Sequence, residues 1–386
     1  MSISRRYFLK SSGMAIAAFA AEPYLLAQRD RPVLIALFQR GAADGLSMVP
    51  PFGDRTYGSA RPQLAIPSPL AGNDNTAIDL DGFFGLHPSL QSMKSLYDAK
   101  HLAIVHAVGS PSTTRSHFDA QDYMETGSPD VKGTRDGWLN RYLQSRTDSQ
   151  SSPFRAVAFS SSTPRSLMGT VSSVALKRIE DFDVPAEYAS LLNKDTAEAL
   201  RILKGANPSQ YAVQNGAAYP ESPFGNALRQ VAKLIKSNVG LEVAFTDIGG
   251  WDTHANQGAA QGQLSQRLQE FGDGIAAFHR DLGDRMRNIV VLTMTEFGRS
   301  IRQNGSGGTD HGHASALFVS GGPVKGGKIY GQWPGLDAEQ LFEGRDLALT
   351  TDFRAVFSEV LSKHMNVSDT ARILPGYKSP QMPGLI

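Results

Sequence analysis

Six short runs constrain the fold more than anything else in the chain. Pro32–Gln39 (PVLIALFQ), His101–Val108 (HLAIVHAV), Phe154–Phe159 (FRAVAF), Leu241–Ile248 (LEVAFTDI), Asn288–Met294 (NIVVLTM) and Ala316–Gly321 (ALFVSG) are rich in β-branched residues and apolar almost throughout. A strand with one wet face would alternate, so continuous runs of this length predict strands covered on both faces. Between them the apolar spacing becomes helical. Leu228, Val231, Leu234 and Ile235 share one face, and so do Leu264, Leu268, Phe271, Ile275 and Phe278. A third helix is predicted from the Thr and Asp of TTDFRAVFSEVLSKHM, with Phe353, Val356, Phe357, Val360 and Leu361 inside. Strands alternating with helices predict an α/β fold, a mostly parallel sheet sandwiched between helical layers. Residues 31–386 are read as one large domain. Residues 50–80, rich in Pro, Gly and Asn, are read as a long surface loop, and residues 161–225 as an inserted helical cap built around PAEYASLLNKDTAEALRILKG.

Residues 1–30 are read as an export signal. SRRYFLK places Arg5 and Arg6 ahead of Phe8, Leu9 and Lys10, and a short apolar run follows from Met14 to Ala21. This is the twin-arginine pattern, and the run is far below the ~20 residues that span a bilayer. The expectation is therefore a periplasmic or secreted protein, carried by the twin-arginine translocase, with no permanent membrane span. That route accepts folded cargo, which suits a protein that collects a metal before export. Charge is nearly balanced, with 38 Lys+Arg against 37 Asp+Glu and no basic run, so nucleic acid is not expected as a partner. The chain has no Cys, which removes disulfides, thiolate metal sites and a Cys nucleophile. No Gly-rich dinucleotide fingerprint follows the first strand, which argues against a redox enzyme.

In open α/β sheets, sites form beyond the carboxyl ends of the strands. Asp44 follows the first run. After the second come Ser112, Thr113, Thr114, Arg115, Ser116 and His117, with a helix predicted to start near Ser116. Asp252 and His254 follow the fourth run, and Glu296 and Arg299 follow the fifth. The stretch GGTDHGHASALF then packs Asp310, His311 and His313 into four positions. Each alone is compatible with a cap, a turn or a surface ion pair. Together they would put carboxylates, imidazoles and hydroxyls on one rim. Asp, Glu and His are the ligand set of a divalent metal at a hydrolytic centre, with Zn, Mn, Mg, Ca or Fe as candidates. Such a centre neutralises a phosphate- or sulfate-like anion and activates a hydroxyl. Arg299 has the fork geometry of an oxyanion clamp. His87, His101, His106 and His279 sit in less polar contexts and are read as structural.

Five segments in order, RGAADGLSMVPPFGD, RSHFDAQDYMETG, GGWDTHANQ, TEFGRSIRQNGSGGTDHGHA and TDFRAVFSEVL, resemble a bacterial twin-arginine-exported family. That family is the domain of unknown function numbered fifteen-oh-one, grouped with the alkaline phosphatase and sulfatase superfamily. The resemblance covers roughly residues 31 to 375. It implies an alkaline-phosphatase-like fold and a metal-dependent hydrolase acting on a small-molecule or polysaccharide phosphate or sulfate ester. It implies Asp44 as a metal ligand. It implies a nucleophile at the start of the helix after the next strand, where Ser116 fits best and Thr113 and Thr114 are rivals, with His117 assisting proton transfer. Asp252 and His254 would bind metal, although their spacing is tighter than D-x-x-x-H and would suit Asp252 as an outer partner. Where the superfamily has Asp-His, this chain has Glu296-Phe297, so one expected ligand is missing. Glu296, Asp310, His311 and His313 complete the implied metal set, one His binding and a neighbour orienting it. The competing expectation is a non-catalytic cell-envelope binding protein that keeps the fold and part of the metal site.

Overall fold

All six apolar runs become strands of one nine-stranded sheet. The computed structural model describes residues 31–146, 152–181, 211–378 and 383–386. In chain order the strands are β1 (Val33–Gln39), β2 (Ile78–Asp79), β3 (Gly85–Leu86), β4 (Leu102–Gly109), β5 (Ala156–Phe159), β6 (Val174–Leu176), β7 (Val243–Ile248), β8 (Ile289–Met294), β9 (Arg299–Gln303), β10 (Thr309–His311), β11 (Ser315–Gly321), β12 (Lys328–Tyr330) and β13 (Thr351–Asp352). The helices are α1 (Gly45–Met48), α2 (Arg55–Ala60), α3 (Gln91–Asp98), α4 (His117–Thr126), α5 (Trp138–Gln144), α6 (Pro223–Lys236), α7 (Gln263–Leu282) and α8 (Phe353–Glu359). The sheet runs β12-β4-β11-β8-β1-β7-β5-β6, with β13 beside the end of β4.

Burial on both faces explains the continuous apolar runs. Every residue of β1 is buried. Val33, Ile35 and Leu37 pack into one core with Met93 of α3, Leu228 of α6 and Phe271 of α7. Leu34, Ala36 and Phe38 pack into the other with Trp138 of α5 and Phe357 of α8. Two helical layers therefore enclose the sheet, as the alternation of strands and helices requires. The 50–80 stretch is less plain than its composition suggests, because it holds α2, capped by Asp54 on the amide of Thr56. Of the expected cap, Arg165–Leu167 form a 3-10 turn and Val174–Leu176 join the sheet as its edge strand, parallel to β5. The helix expected at 185–205 and the export signal of residues 1–30 lie outside the described residues. Among the described residues, no helix is long and apolar enough to cross a membrane.

One departure from parallel order matters for the site. Strand β11 runs antiparallel to both β4 and β8, while every other pairing in the main sheet is parallel. The residues just before β11 therefore sit at the same rim as the residues just after β1, β4, β7 and β8. Strands β9 and β10 form a separate antiparallel hairpin over that rim.

Candidate metal centre

The rim is assembled by close backbone contact. The 253–257 segment after β7 lies against the 306–309 segment, with Asn256 N–H donating to Ser306 O at 3.0 Å and Thr309 N–H to Thr253 O at 3.1 Å. Gly308 is what allows this approach, since a Cβ there would meet the His254 carbonyl carbon at 2.4 Å. Gly312 does the same on the other side, where a Cβ would come 2.4 Å from the Arg299 carbonyl carbon. The glycines around Asp310 and His311 thus press the hairpin onto its neighbours and carry His311 inward.

Three imidazoles and a carboxylate converge there. His311 Nε2 lies 3.0 Å from His117 Nε2, 3.0 Å from His254 Nε2 and 3.2 Å from Asp252 Oδ1. Asp252 also comes within 3.0 Å of His254 Nε2 and 3.4 Å of His117 Nε2. Among the described residues, His117, Asp252 and His311 form a group able to hold a metal ion, and His254 adjoins it. A four-coordinate ion with bonds of ~2.0–2.1 Å needs ligand–ligand edges of ~3.3 Å. The observed separations of 3.0 to 3.4 Å bracket that value.

Tautomers make the case stronger. His311 Nδ1 faces the Arg115 carbonyl at 2.8 Å, and a carbonyl only accepts, so Nδ1 carries the proton and Nε2 presents a lone pair. His117 Nδ1 donates to Glu296 Oε1 at 2.8 Å, and His254 Nδ1 faces Asp310 Oδ1 at 3.3 Å. His311 and His117 can therefore turn a lone pair inward, each oriented by an acceptor behind it, which is the arrangement metal-bound His adopts. His254 faces a carboxylate with either nitrogen, Asp310 at 3.3 Å and Asp252 at 3.0 Å. Lone pairs 3.0 Å apart repel unless a positive charge lies between them. Burial lowers the pKa of His311, keeping it neutral and ready to donate its lone pair. The Glu296 hydrogen bond raises that of His117. A cation between His117 and His311 relieves the lone-pair repulsion, and Asp252 stands beside both as the anionic ligand.

The carboxylates divide into two roles. Burial opposes the charge on Asp252, but the hydrogen bond and charge of Arg299 outweigh it and hold its pKa below the usual range. Glu296 is wholly buried, and burial opposes its charge too, yet His117, Gln121 and the Gly41 amide keep it ionised. Their donors lie 2.8, 2.9 and 2.8 Å from Oε1. The donor set is imidazole nitrogen with one carboxylate, which fits a borderline divalent ion better than an all-oxygen cation.

Several sequence expectations are rearranged. Asp252, His254 and His311 lie together, His311 Nε2 within 3.2 Å of both partners. His117, expected to move protons, instead turns Nε2 into the cluster. Glu296 and Asp310 stand behind His117 and His254 rather than inside the cluster. His313 is buried outside it, its ring stacked 4.1 Å from that of Phe342. Asp44 is held elsewhere, its Oδ2 accepting from Arg61 at 2.7 Å, Ser47 at 2.8 Å and Gln257 at 2.8 Å. Arg299 is buried and donates to Asp252 Oδ1 at 2.6 Å and to Thr309, so its guanidinium locks a carboxylate instead of clamping a ligand. Ser116 is the exposed N-cap residue of α4, and its side chain makes no cap hydrogen bond. Phe297, where a His was missed, packs its ring 5.0 Å from both His117 and His311. Arg61, Gln121, Gln257 and Thr309 carried no sequence signal. Each is an ordinary residue type whose partner lies far along the chain.

A family model described as "Protein of unknown function (DUF1501)" matches residues 31–376. No curated protein sequence matches the chain. Among solved structures, the chain is similar to the C-terminal periplasmic domain of EcEptC from Escherichia coli, at 10% identity over 90% of this chain and 88% of that one, with a TM-score of 0.39. It is similar to the PsFucS1 sulfatase from Pseudoalteromonas sp., at 9% identity over 80% and 67% of the two chains, with a TM-score of 0.36. It is also similar to the alkaline phosphatase from the Antarctic bacterium TAB5, at 14% identity over 76% and 93%, with a TM-score of 0.34.

Proposed function

The chain belongs to the DUF1501 family, and from the geometry of its rim we propose an exported, metal-dependent hydrolase of phosphate or sulfate esters. The observation that carries this reading is the convergence of three imidazole Nε2 atoms on Asp252, each ring fixed through Nδ1. His117, Asp252 and His311 would hold one divalent ion, with His254 beside them against Asp252 and His311. When bound, such an ion supplies Lewis-acid polarisation of an ester oxygen and activation of a hydroxyl at neutral pH. The cluster is open to the medium, since the side chains of Asp252 and His254 stay 43% and 44% exposed.

Ser116 is the nucleophile in this proposal. It sits at the positive end of α4, next to His117, with a hydroxyl that its own helix does not use. Ser116 Oγ would form the new bond to phosphorus or sulfur as the bond to the alcohol oxygen breaks. The Ser116 proton would pass through solvent to the departing alkoxide, and water would then cleave the Ser116 ester to release the acid. His117 has no nitrogen left for the Ser116 proton, because Nδ1 serves Glu296 and Nε2 faces the cluster. Its part is to hold the ion. The test is a panel of aryl phosphate mono- and diesters and aryl sulfates with Zn²⁺, Mn²⁺, Mg²⁺ or Ca²⁺. Hydrolysis is expected to fall by orders of magnitude in Ser116→Ala with metal content unchanged, and Thr113→Ala and Thr114→Ala should be much milder. Turnover that survives Ser116→Ala intact removes the nucleophile assignment.

A second reading has an observation behind it. Arg299 is tied up with Asp252 and Thr309, and Asp44 pairs with Arg61 outside the metal-capable group, which leaves neither in the role the family resemblance implied. A non-catalytic envelope protein that holds a metal would show stoichiometric metal and no hydrolysis across the whole panel. Export is part of the proposal, and it rests on Arg5 and Arg6. The translocase reads the arginine pair itself, so replacing both by Lys should leave the precursor in the cytoplasm by cell fractionation. Normal periplasmic accumulation of that variant would sink the export claim.

A further inference from the structure

His117 and His254 are oriented by side-chain carboxylates, Glu296 and Asp310. His311 is different. Its Nδ1 donates to a main-chain carbonyl, that of Arg115, in the loop between β4 and α4. A loop carbonyl points where the loop points, so something must fix the loop.

That anchor is a buried carboxylate. Asp346 is fully buried, and its Oδ2 accepts from Arg115 Nη2 at 2.6 Å and Nε at 3.1 Å. Its Oδ1 accepts from Arg345 Nε at 2.9 Å. Arg345 then donates through Nη2 to the main-chain oxygen of His311. Both arginines held by Asp346 therefore end on His311, one at the ring nitrogen and one at the backbone. The turn that carries Asp346 is fixed in its own right. Asp346 N–H donates to Phe342 O at 3.0 Å, and Glu343 takes a left-handed φ of 51° to close it. The same turn touches the chain after His311 twice more. Phe342 stacks on His313 at 4.1 Å, and Leu347 O accepts from Ala314 N–H at 3.2 Å.

We propose that Asp346 is the positioning residue of the centre, orienting His311 through Arg115 and Arg345; this rests on reading His311 as an ion ligand. A buried carboxylate loses much solvation, and bonds to two guanidiniums offset that loss. Asp346 uses both oxygens on guanidiniums that end on His311, which is the placement that fixes the direction of that imidazole lone pair.

Cobalt(II) titration of the purified full chain, followed by visible absorption, tests this. The wild type should bind one Co²⁺ with ligand-field bands of a low-coordinate nitrogen site. Asp346→Asn should bind it ~10–100-fold more weakly, the range seen when an outer-shell partner of a ligand is lost, with the bands altered. Arg345→Met removes only the backbone arm, should give a smaller loss, and carries the test if Asp346→Asn does not fold. Asp98→Asn, which breaks an exposed ion pair with Lys94 on α3, should leave affinity and bands unchanged. A folded Asp346→Asn or Arg345→Met chain with wild-type affinity and bands overturns the proposal. A wild-type chain that takes up neither Co²⁺ nor Zn²⁺ overturns the ion reading itself, and the role of Asp346 falls with it.

Discussion

On the proposed metal-binding reading, His311→Ala should take up no metal and gain no stability from it, while His313→Ala should do both as the wild type does. His311 is the hub of the cluster: its Nε2 meets His117, His254 and Asp252 within 3.0, 3.0 and 3.2 Å. His313 lies two residues on, but its ring packs on Phe342. Losing a ligand outright should cost more than the ~10–100-fold in affinity that follows loss of an outer partner. An ion bound only by the native fold adds RT ln(1 + [L]/Kd), about 2.7 kcal/mol when free metal is a hundredfold above Kd. Chelator should therefore lower the melting temperature of the wild type and of His313→Ala. It should leave His311→Ala unmoved, at a temperature close to the chelated wild type. Calorimetry with and without chelator, plus elemental analysis after dialysis, decides the matter. Equal metal content in His311→Ala and wild type would remove the cluster as the binding site.

The sequence made the sheet legible because burial on both faces leaves a local mark. β1, β4, β7 and β8 are apolar at nearly every position, and no partner strand is needed to see it. Strand direction leaves no such mark. The reversal of β11 could not be read, although it is what brings the residues before that strand to the rim. The β9–β10 hairpin was also hidden, because RSIRQ and TDH are polar and short.

The site divides in the same way. Asp252, His254 and His311 could be picked out because imidazole and carboxylate side by side after a strand are uncommon. The roles of Glu296, Arg299 and His117 could not, since each depends on what stands opposite. Glu296 orients a ring 179 positions away, and Arg299 answers a carboxylate 47 positions away. His117 looked like a partner for Ser116 only because the two are adjacent in the chain. Both ring nitrogens of His117 are engaged elsewhere, Nδ1 by Glu296 and Nε2 by the cluster.

Arg61→Met should cost about 3–5 kcal/mol of folding stability, as breaking a buried ion pair from one side does. Arg61 is 0% exposed and lies in a stretch whose composition suggested only a surface loop. Its Nη1 donates to Asp44 Oδ2 at 2.7 Å, its Nε to Ile301 O at 2.7 Å and its Nη2 to Ser300 O at 2.8 Å. Burial works to raise the pKa of Asp44, and the charge and hydrogen bond of Arg61 overcome it, so the folded value lies below the ordinary one. In the wild type this pair therefore contributes stability above the unfolded pKa of Asp44, ~3.9, and loses it as pH falls through the folded value. Without Arg61, burial dominates and the sign reverses. Asp44 is then raised, and the deficit of the variant should be greatest near neutrality and shrink on acidification toward pH ~4. Adding Asp44→Asn removes the stranded charge and keeps an acceptor for Ser47 and Gln257, so the double variant should recover most of the loss. The consequence extends to the metal centre. Gln257 bonds Asp44 at 2.8 Å and accepts from Thr309 at 2.8 Å, Thr309 accepts from Arg299 at 3.1 Å, and Arg299 holds Asp252 at 2.6 Å. Arg61→Met should thus also weaken metal binding, although Arg61 touches none of the ligands. Urea unfolding of both variants between pH 4 and 8 measures the effect. A single variant within 1 kcal/mol of wild type at pH 7, or a deficit that grows on acidification, would show that Asp44 is not held ionised by this guanidinium.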